Sequence, residues 1–103
     1  MILGNYVQQP AETMDYDIDF SDFLSEGDTL VSVGNPPVPS PLNVVVSPST
    51  GLTLGPTLVL NGTTIKQWVS GGTDGQKYKI TITATSNAGR VKQVEFMVRV
   101  KDV

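Results

Sequence analysis

The chain has 103 residues, 39% of them hydrophobic, and contains neither cysteine nor histidine. That is enough for one globular domain and not two, and it excludes zinc sites built on Cys or His and catalytic pairs that need either residue. The net charge of −3 hides a split: residues 1–65 carry seven acids and no base, whereas residues 66–103 carry all seven bases and three acids.

Residues 1–13 mix apolar side chains with Gly, Asn, Gln and Pro, and keep no period for long. Pro10 stops any regular element there. The segment reads as an extended N-terminal arm ahead of a single domain over residues 14–103. Ile2, Leu3, Tyr6 and Val7 are too apolar for an idle tail, so the arm is expected to pack on the domain or on a neighbour. Asp15-Tyr16-Asp17-Ile18-Asp19-Phe20 alternates acid with large apolar, which predicts a strand with Tyr16, Ile18 and Phe20 inward. Ser21–Leu24 resembles one helical turn starting at Ser21.

Thr29–Val33 reads as a second strand, 34–41 as a proline-rich linker that cannot be a central strand, and Leu42–Ser47 as a third strand. Leu52–Thr57 reads as irregular. Leu58–Leu60 and Thr63–Val69 flank Asn61-Gly62, a strong hairpin signal because both residues accept positive φ. Trp68 falls opposite Val69 in this alternation. It is either a core tryptophan or an interface anchor, with Gln67 and a bulge deciding which side faces in.

A glycine-rich turn, Gly71-Gly72-Thr73-Asp74-Gly75, then leads into a strand that places Tyr78, Ile80, Ile82 and Ala84 on one face. A tyrosine opening such a strand marks a tyrosine corner, where the phenol bonds back to the loop and ties two sheets together. Arg90–Val100 closes the chain with Val94, Phe96, Val98 and Val100 on one face, paired to the Tyr78 strand through Ser86–Gly89. The expectation is an all-β fold: an immunoglobulin-like β-sandwich of about seven strands with an extended arm.

The split charge reads in two ways. Either the first and last strands lie side by side and neutralise each other across one sheet, or copies associate acidic patch to basic patch. An acidic balance with bases scattered along strands suits no nucleic acid. Asp15, Asp17 and Asp19 open like a calcium loop and Glu26 falls at its closing position, but Phe20 stands where the loop needs glycine and Asp22 where it needs an apolar residue. An acidic outer strand face is the simpler reading, with calcium at a subunit contact as the alternative. The glycine-rich turn precedes a strand, not a helix, so it is no phosphate cradle. No convergent carboxylate pair appears, and no cofactor is expected. Residues 1–25 hold no Lys or Arg and no long apolar run, so no secretory signal is read. No run approaches the roughly 18 apolar residues of a membrane-crossing helix, so no membrane partner is expected.

The chain resembles the small immunoglobulin-like virion proteins of tailed bacteriophages, fibre–tail adaptors and similar accessory components. The resemblance rests on Gln9-Pro10-Ala11-Glu12, Tyr16–Leu24, Gly27–Leu30, Trp68–Gly75 with Tyr78, Gly89-Arg90 and the closing Val94–Val100 strand. Phe23 stands where such sequences often have Trp, and the segment 34–41 is longer than usual. The resemblance implies a non-catalytic structural protein, present in several copies in a virion assembled in the host bacterial cytoplasm, contacting other virion proteins or copies of itself. Ile2, Leu3, Tyr6, Val7, Asp15, Asp17, Asp19 and Trp68 are the candidate contact residues. The rival reading is a carbohydrate- or host-surface-binding module, which would need exposed aromatics such as Tyr6, Trp68 and Phe23.

Overall fold

The structure, a computed structural model, describes residues 2–41 and 43–102. The side chains of Ile2 and Leu3, and Leu42 at the start of the expected third strand, lie outside the described residues. In chain order the strands are β1 (Ile2–Gln8), β2 (Thr13–Asp19), β3 (Ser32–Val33), β4 (Val38–Pro39), β5 (Val44–Ser47), β6 (Leu52–Leu60), β7 (Thr64–Gly71), β8 (Lys77–Thr85) and β9 (Val91–Val100). A single 3₁₀ turn, Ser21–Phe23, follows β2 where the helical turn was expected.

Two sheets face each other. One has the order β1-β9-β8-β5 and the other β2-β7-β6, while β3 and β4 form a separate two-stranded ribbon. All pairings are antiparallel except β1 with β9. The core lies between the sheets. Ile18, Val59, Ile65 and Val69 from one meet Tyr78, Ile80, Ile82, Val94, Phe96, Val98 and Val100 from the other. The period-2 alternation read in β2, β8 and β9 is what fills this layer, and each fully buried Val, Ile or Phe contributes roughly 1.5–3 kcal/mol.

Tyr78 is fully buried, and its Oη accepts a hydrogen bond from the Thr73 amide at 3.1 Å. The tyrosine corner therefore forms as expected. A Cβ on Gly51 would fall 2.7 Å from that oxygen, so the phenol needs a glycine there. Asn61 (φ 54°) and Gly62 (φ 71°) turn β6 into β7, as their sequence predicts.

Three expectations change. First, the extended N-terminal segment packs on the domain, one of its two expected placements, but it does so as a regular strand: β1 is zipped parallel to β9 from Ile2↔Glu95 to Gln8↔Val100. Its inward positions hold Tyr6 and Gln8, and its outward ones Asn5 and the 67%-exposed Val7. That inverts the usual polar–apolar alternation and hides the strand. Gln8 is buried and accepts the Tyr16 hydroxyl at 2.8 Å, which couples the two sheets after the turn Gln9–Glu12.

Second, Leu52–Thr57 is not irregular but the first part of β6, which bulges between Leu54 and Thr57. Pro56 is tolerated at the bulge, and buried Gln67 satisfies it. Gln67 Nε2 donates to Gly55 O (3.1 Å) and Trp68 O (2.9 Å), while its Oε1 accepts the Thr57 hydroxyl. Third, Thr29–Val33 is not a sandwich strand. Leu30 makes one isolated bridge to Ser86, and Ser32–Val33 pairs within the proline-rich connection as β3 with β4.

Candidate interaction surfaces

The strand register sorts the charges by sheet face. On the outer face of β2-β7-β6, Asp15 lies beside Trp68, Asp17 beside Lys66 and Asp19 beside Thr64, with Leu58 and Leu60 continuing across β6. Trp68 thus points outward and is half-buried, and Gln67 takes the inward place. Lys66 Nζ sits 2.8 Å from Asp15 and 3.7 Å from Asp17. The Lys66 hydrogen bond holds the Asp15 carboxyl below its ordinary pKa and raises that of Lys66 in turn. Asp19 accepts the Ser21 amide at 2.8 Å, which lowers its pKa as well. Each aspartate of the acidic face therefore has its own role, and the cation between the first two is a lysine. Among the described residues no group of three or more His, Cys, Asp or Glu could hold a metal ion.

The outer face of β1-β9-β8-β5 is basic. Lys77 pairs with Arg99, Lys79 with Met97, and Asn5 and Val7 of β1 with Met97 and Arg99. Lys79 holds Glu95 at 3.2 Å and keeps that carboxyl below its usual range. Asn5, Tyr6, Val7, Lys77, Met97 and Arg99 line an open groove of about 320 Å³ here. Lys77, Met97 and Arg99 were not singled out in the sequence. The alternation about Tyr78 places Lys77 and Lys79 outward, but only the β1–β9 pairing sets Val7 beside Arg99.

The first acidic strand and the last strand do not lie side by side, as the first of the two charge readings expected: β2 pairs with β7, where Lys66 meets Asp15 and Asp17, and β9 lies between the uncharged β1 and β8. Asp28 makes a second contact between the acidic and basic parts of the chain. It reaches the β8–β9 turn, where its Oδ1 accepts the Thr29 (3.0 Å) and Ala88 (3.1 Å) amides and its other oxygen lies 3.5 Å from Arg90.

The remaining candidate residues divide. Tyr6 is 41% exposed, yet its ring packs tilted against Tyr16 (5.0 Å) and edge-on to Phe96 (6.0 Å) and closes the seam between β1 and β2. Burial raises the Tyr16 pKa, with Glu12 adding to it. Val7 is free to make contacts. Phe23 packs edge-on to Phe20, 6.0 Å away, and carries Lys92 over its ring at 4.3 Å. The strands β1 and β2 end their respective sheets, so each leaves one backbone edge without a sheet neighbour among the described residues.

Side chains of opposite net charge thus dominate the two outer sheet faces, and β1 is pinned along β9. Residues 8–99 match the family model described as podophage GP4 fiber-tail adaptor protein gp77. The chain belongs to that family. The match runs from the end of β1 almost to the end of β9 and so takes in both sheets. The adaptor is thereby a small structural protein of the phage tail and a virion component, whose family joins tail and fibre. No curated protein matches the chain.

Proposed function

We propose that this adaptor is a non-catalytic, immunoglobulin-like module that holds a fibre to a tail through its two outer sheet faces and the free edges of β1 and β2. The family match over residues 8–99 carries the reading. The strand order supports the immunoglobulin-like part: β2-β7-β6 against β5-β8-β9, with β1 moved beside the last strand and a tyrosine corner at β8. Support for the contact surfaces comes from Val7, Val45 and Met14, apolar side chains left exposed at sheet margins. An incoming extended segment would find unpaired main-chain groups along β1 or β2. Strand β1 and the turn after it act in this reading as part of the body of the adaptor.

Co-expression of the adaptor with the tail and fibre proteins of its own phage tests this. A complex containing all three is expected on size exclusion, and omission of the adaptor is expected to leave tail and fibre separate. If tail and fibre associate equally well without it, the proposal fails. The glycan-binding alternative loses support because two of its three aromatics, Tyr6 and Phe23, have their rings engaged internally.

A further inference from the structure

The two sheets end in β1 and β5 on one side of the sandwich layer and in β2 and β6 on the other. An open strand end invites a further strand, and proteins blunt it with charge, proline, a bulge or shortness. Three of these ends are blunted. β2 carries Asp15, Asp17 and Asp19. β5 is four residues long and bracketed by Pro41 and Pro48. β6 bulges around Pro56, and its Val59 amide already donates to the Pro37 carbonyl at 3.0 Å. β1 holds neither charge nor proline, and its register with β9 is regular from Asn5 to Gln8. Successive residues of a strand turn their amide and carbonyl to alternate sides. The Gln8 carbonyl accepts the Lys101 amide at 3.0 Å, just past the end of β9. Gln8 and Tyr6 therefore bond toward β9, and the main-chain groups of Asn5 and Val7 point away from it, where no strand lies among the described residues.

The side chains of the same two residues rise on the outer face, Val7 beside Arg99 and Asn5 beside Met97, with Lys77 next to Arg99. They border the groove of about 320 Å³. Lys79 is paired with Glu95 and Lys66 with Asp15, but Lys77 and Arg99 are exposed and have no acidic partner among the described residues. We propose that the β1 edge receives an extended acidic segment of another virion protein, the fibre or the tail, as a fifth strand of the β1-β9-β8-β5 sheet. Main-chain bonds to Asn5 and Val7 supply the affinity, and alternate side chains supply the choice of partner. A strand added there lies about 4.8 Å from β1. Its outward side chains stand beside Asn5 and Val7, where a glutamate and Arg99 reach each other across Val7. Its inward side chains cover the exposed part of Tyr6. The segment that fits therefore alternates carboxylate with apolar residues. This deepens the adaptor reading and rests on it for the class of partner.

Short overlapping peptides spanning the tail and fibre proteins of the same phage, titrated into the labelled full chain and followed by NMR, test it. In the free chain the Tyr6 and Gln8 amides should exchange slowly and those of Asn5 and Val7 fast. An acidic peptide should bind, slow exchange at Asn5 and Val7 at least about tenfold, and bind more weakly at about 500 mM salt, where charges are screened within a few ångströms. Val7→Pro deletes an outward amide and no bond to β9, so the chain should keep its fold and bind at least about tenfold more weakly. Lys77→Ser/Arg99→Ser leaves β1 untouched and should weaken binding about three- to tenfold. This gives a second measurement should the proline disturb the strand. The proposal is overturned if no peptide binds, if a bound peptide leaves Asn5 and Val7 unprotected, or if neither variant weakens binding. Slow exchange at Asn5 and Val7 in the free chain also overturns it, since a second copy would then hold this edge. Should the peptides fail while tail, adaptor and fibre still co-purify, the adaptor reading stands and only this contact is wrong.

Discussion

Replacing Gln67 with leucine tests how β6 survives its own bulge. The side chain is fully buried and makes three hydrogen bonds, two of them to the carbonyls of Gly55 and Trp68 and one from the Thr57 hydroxyl. Leucine nearly matches its volume and removes all three, leaving buried polar groups without partners. Each such group costs about 1–3 kcal/mol. The Trp68 carbonyl lies on the sheet, where relaxation softens the loss, so a total of about 2–4 kcal/mol is expected. For a domain of this size that lowers the melting temperature by roughly 10–25 °C. Urea unfolding followed by the fluorescence of Trp68, the only tryptophan, reads the change directly. Thr57→Val alone should cost about 1 kcal/mol, and the double variant should cost less than the two singles together, because removing both partners leaves one orphan fewer. A Gln67→Leu loss under about 0.5 kcal/mol, or strict additivity with Thr57→Val, would refute the idea that this amide holds the bulge.

Other consequences can be measured in the same way. Tyr78→Phe removes the acceptor for the Thr73 amide and should cost about 1 kcal/mol in urea unfolding with the fold unchanged by circular dichroism; no change would show the corner to be held by packing alone. Gly72→Ala should cost more than about 2 kcal/mol, since Gly72 has φ +110° and an added Cβ would run into Val100; a neutral result would mean the turn is free to shift. The Asp28 carboxyl is held below its ordinary value of 3.8 by the Ser86 hydroxyl, then the Ala88 and Thr29 amides and Arg90. Asp15, Asp19 and Glu95 are shifted the same way. Groups with depressed folded pKa values give stability that is present above the unfolded value and lost as pH falls through the folded one. The unfolding midpoint should therefore hold steady above about pH 5 and fall progressively below about pH 4, with Asp28→Asn flattening part of that slope. An acid-independent midpoint would contradict these pairings.

Where alternation was regular, sequence and structure agree residue by residue. Tyr78, Ile80, Ile82 and Ala84, and Val94 through Val100, are apolar at every second place because their strands are buried on one side and wet on the other. The Asn61-Gly62 turn and the tyrosine corner were legible too, because each depends on a local backbone conformation or on one side chain reaching a few residues back. The failures share a different physics. β1 puts Gln8 inside and Val7 outside, since its inward polar group is satisfied by Tyr16 from the other sheet. The first part of β6 contains Gly55 and Pro56, and it stays a strand only because Gln67 reaches it from β7.

What the residues alone determined is that two apolar faces must meet, and that acids crowd the first part of the chain and bases the last. Which charged strand neighbours which was decided by tertiary structure. Period-2 patterning says which way a side chain points but not which strand lies beside it. Only closure of the sandwich set β1 against β9 and β2 against β7, and so left Asp15, Asp17 and Asp19 with Lys66 on one outer face and Lys77, Lys79 and Arg99 with Glu95 on the other.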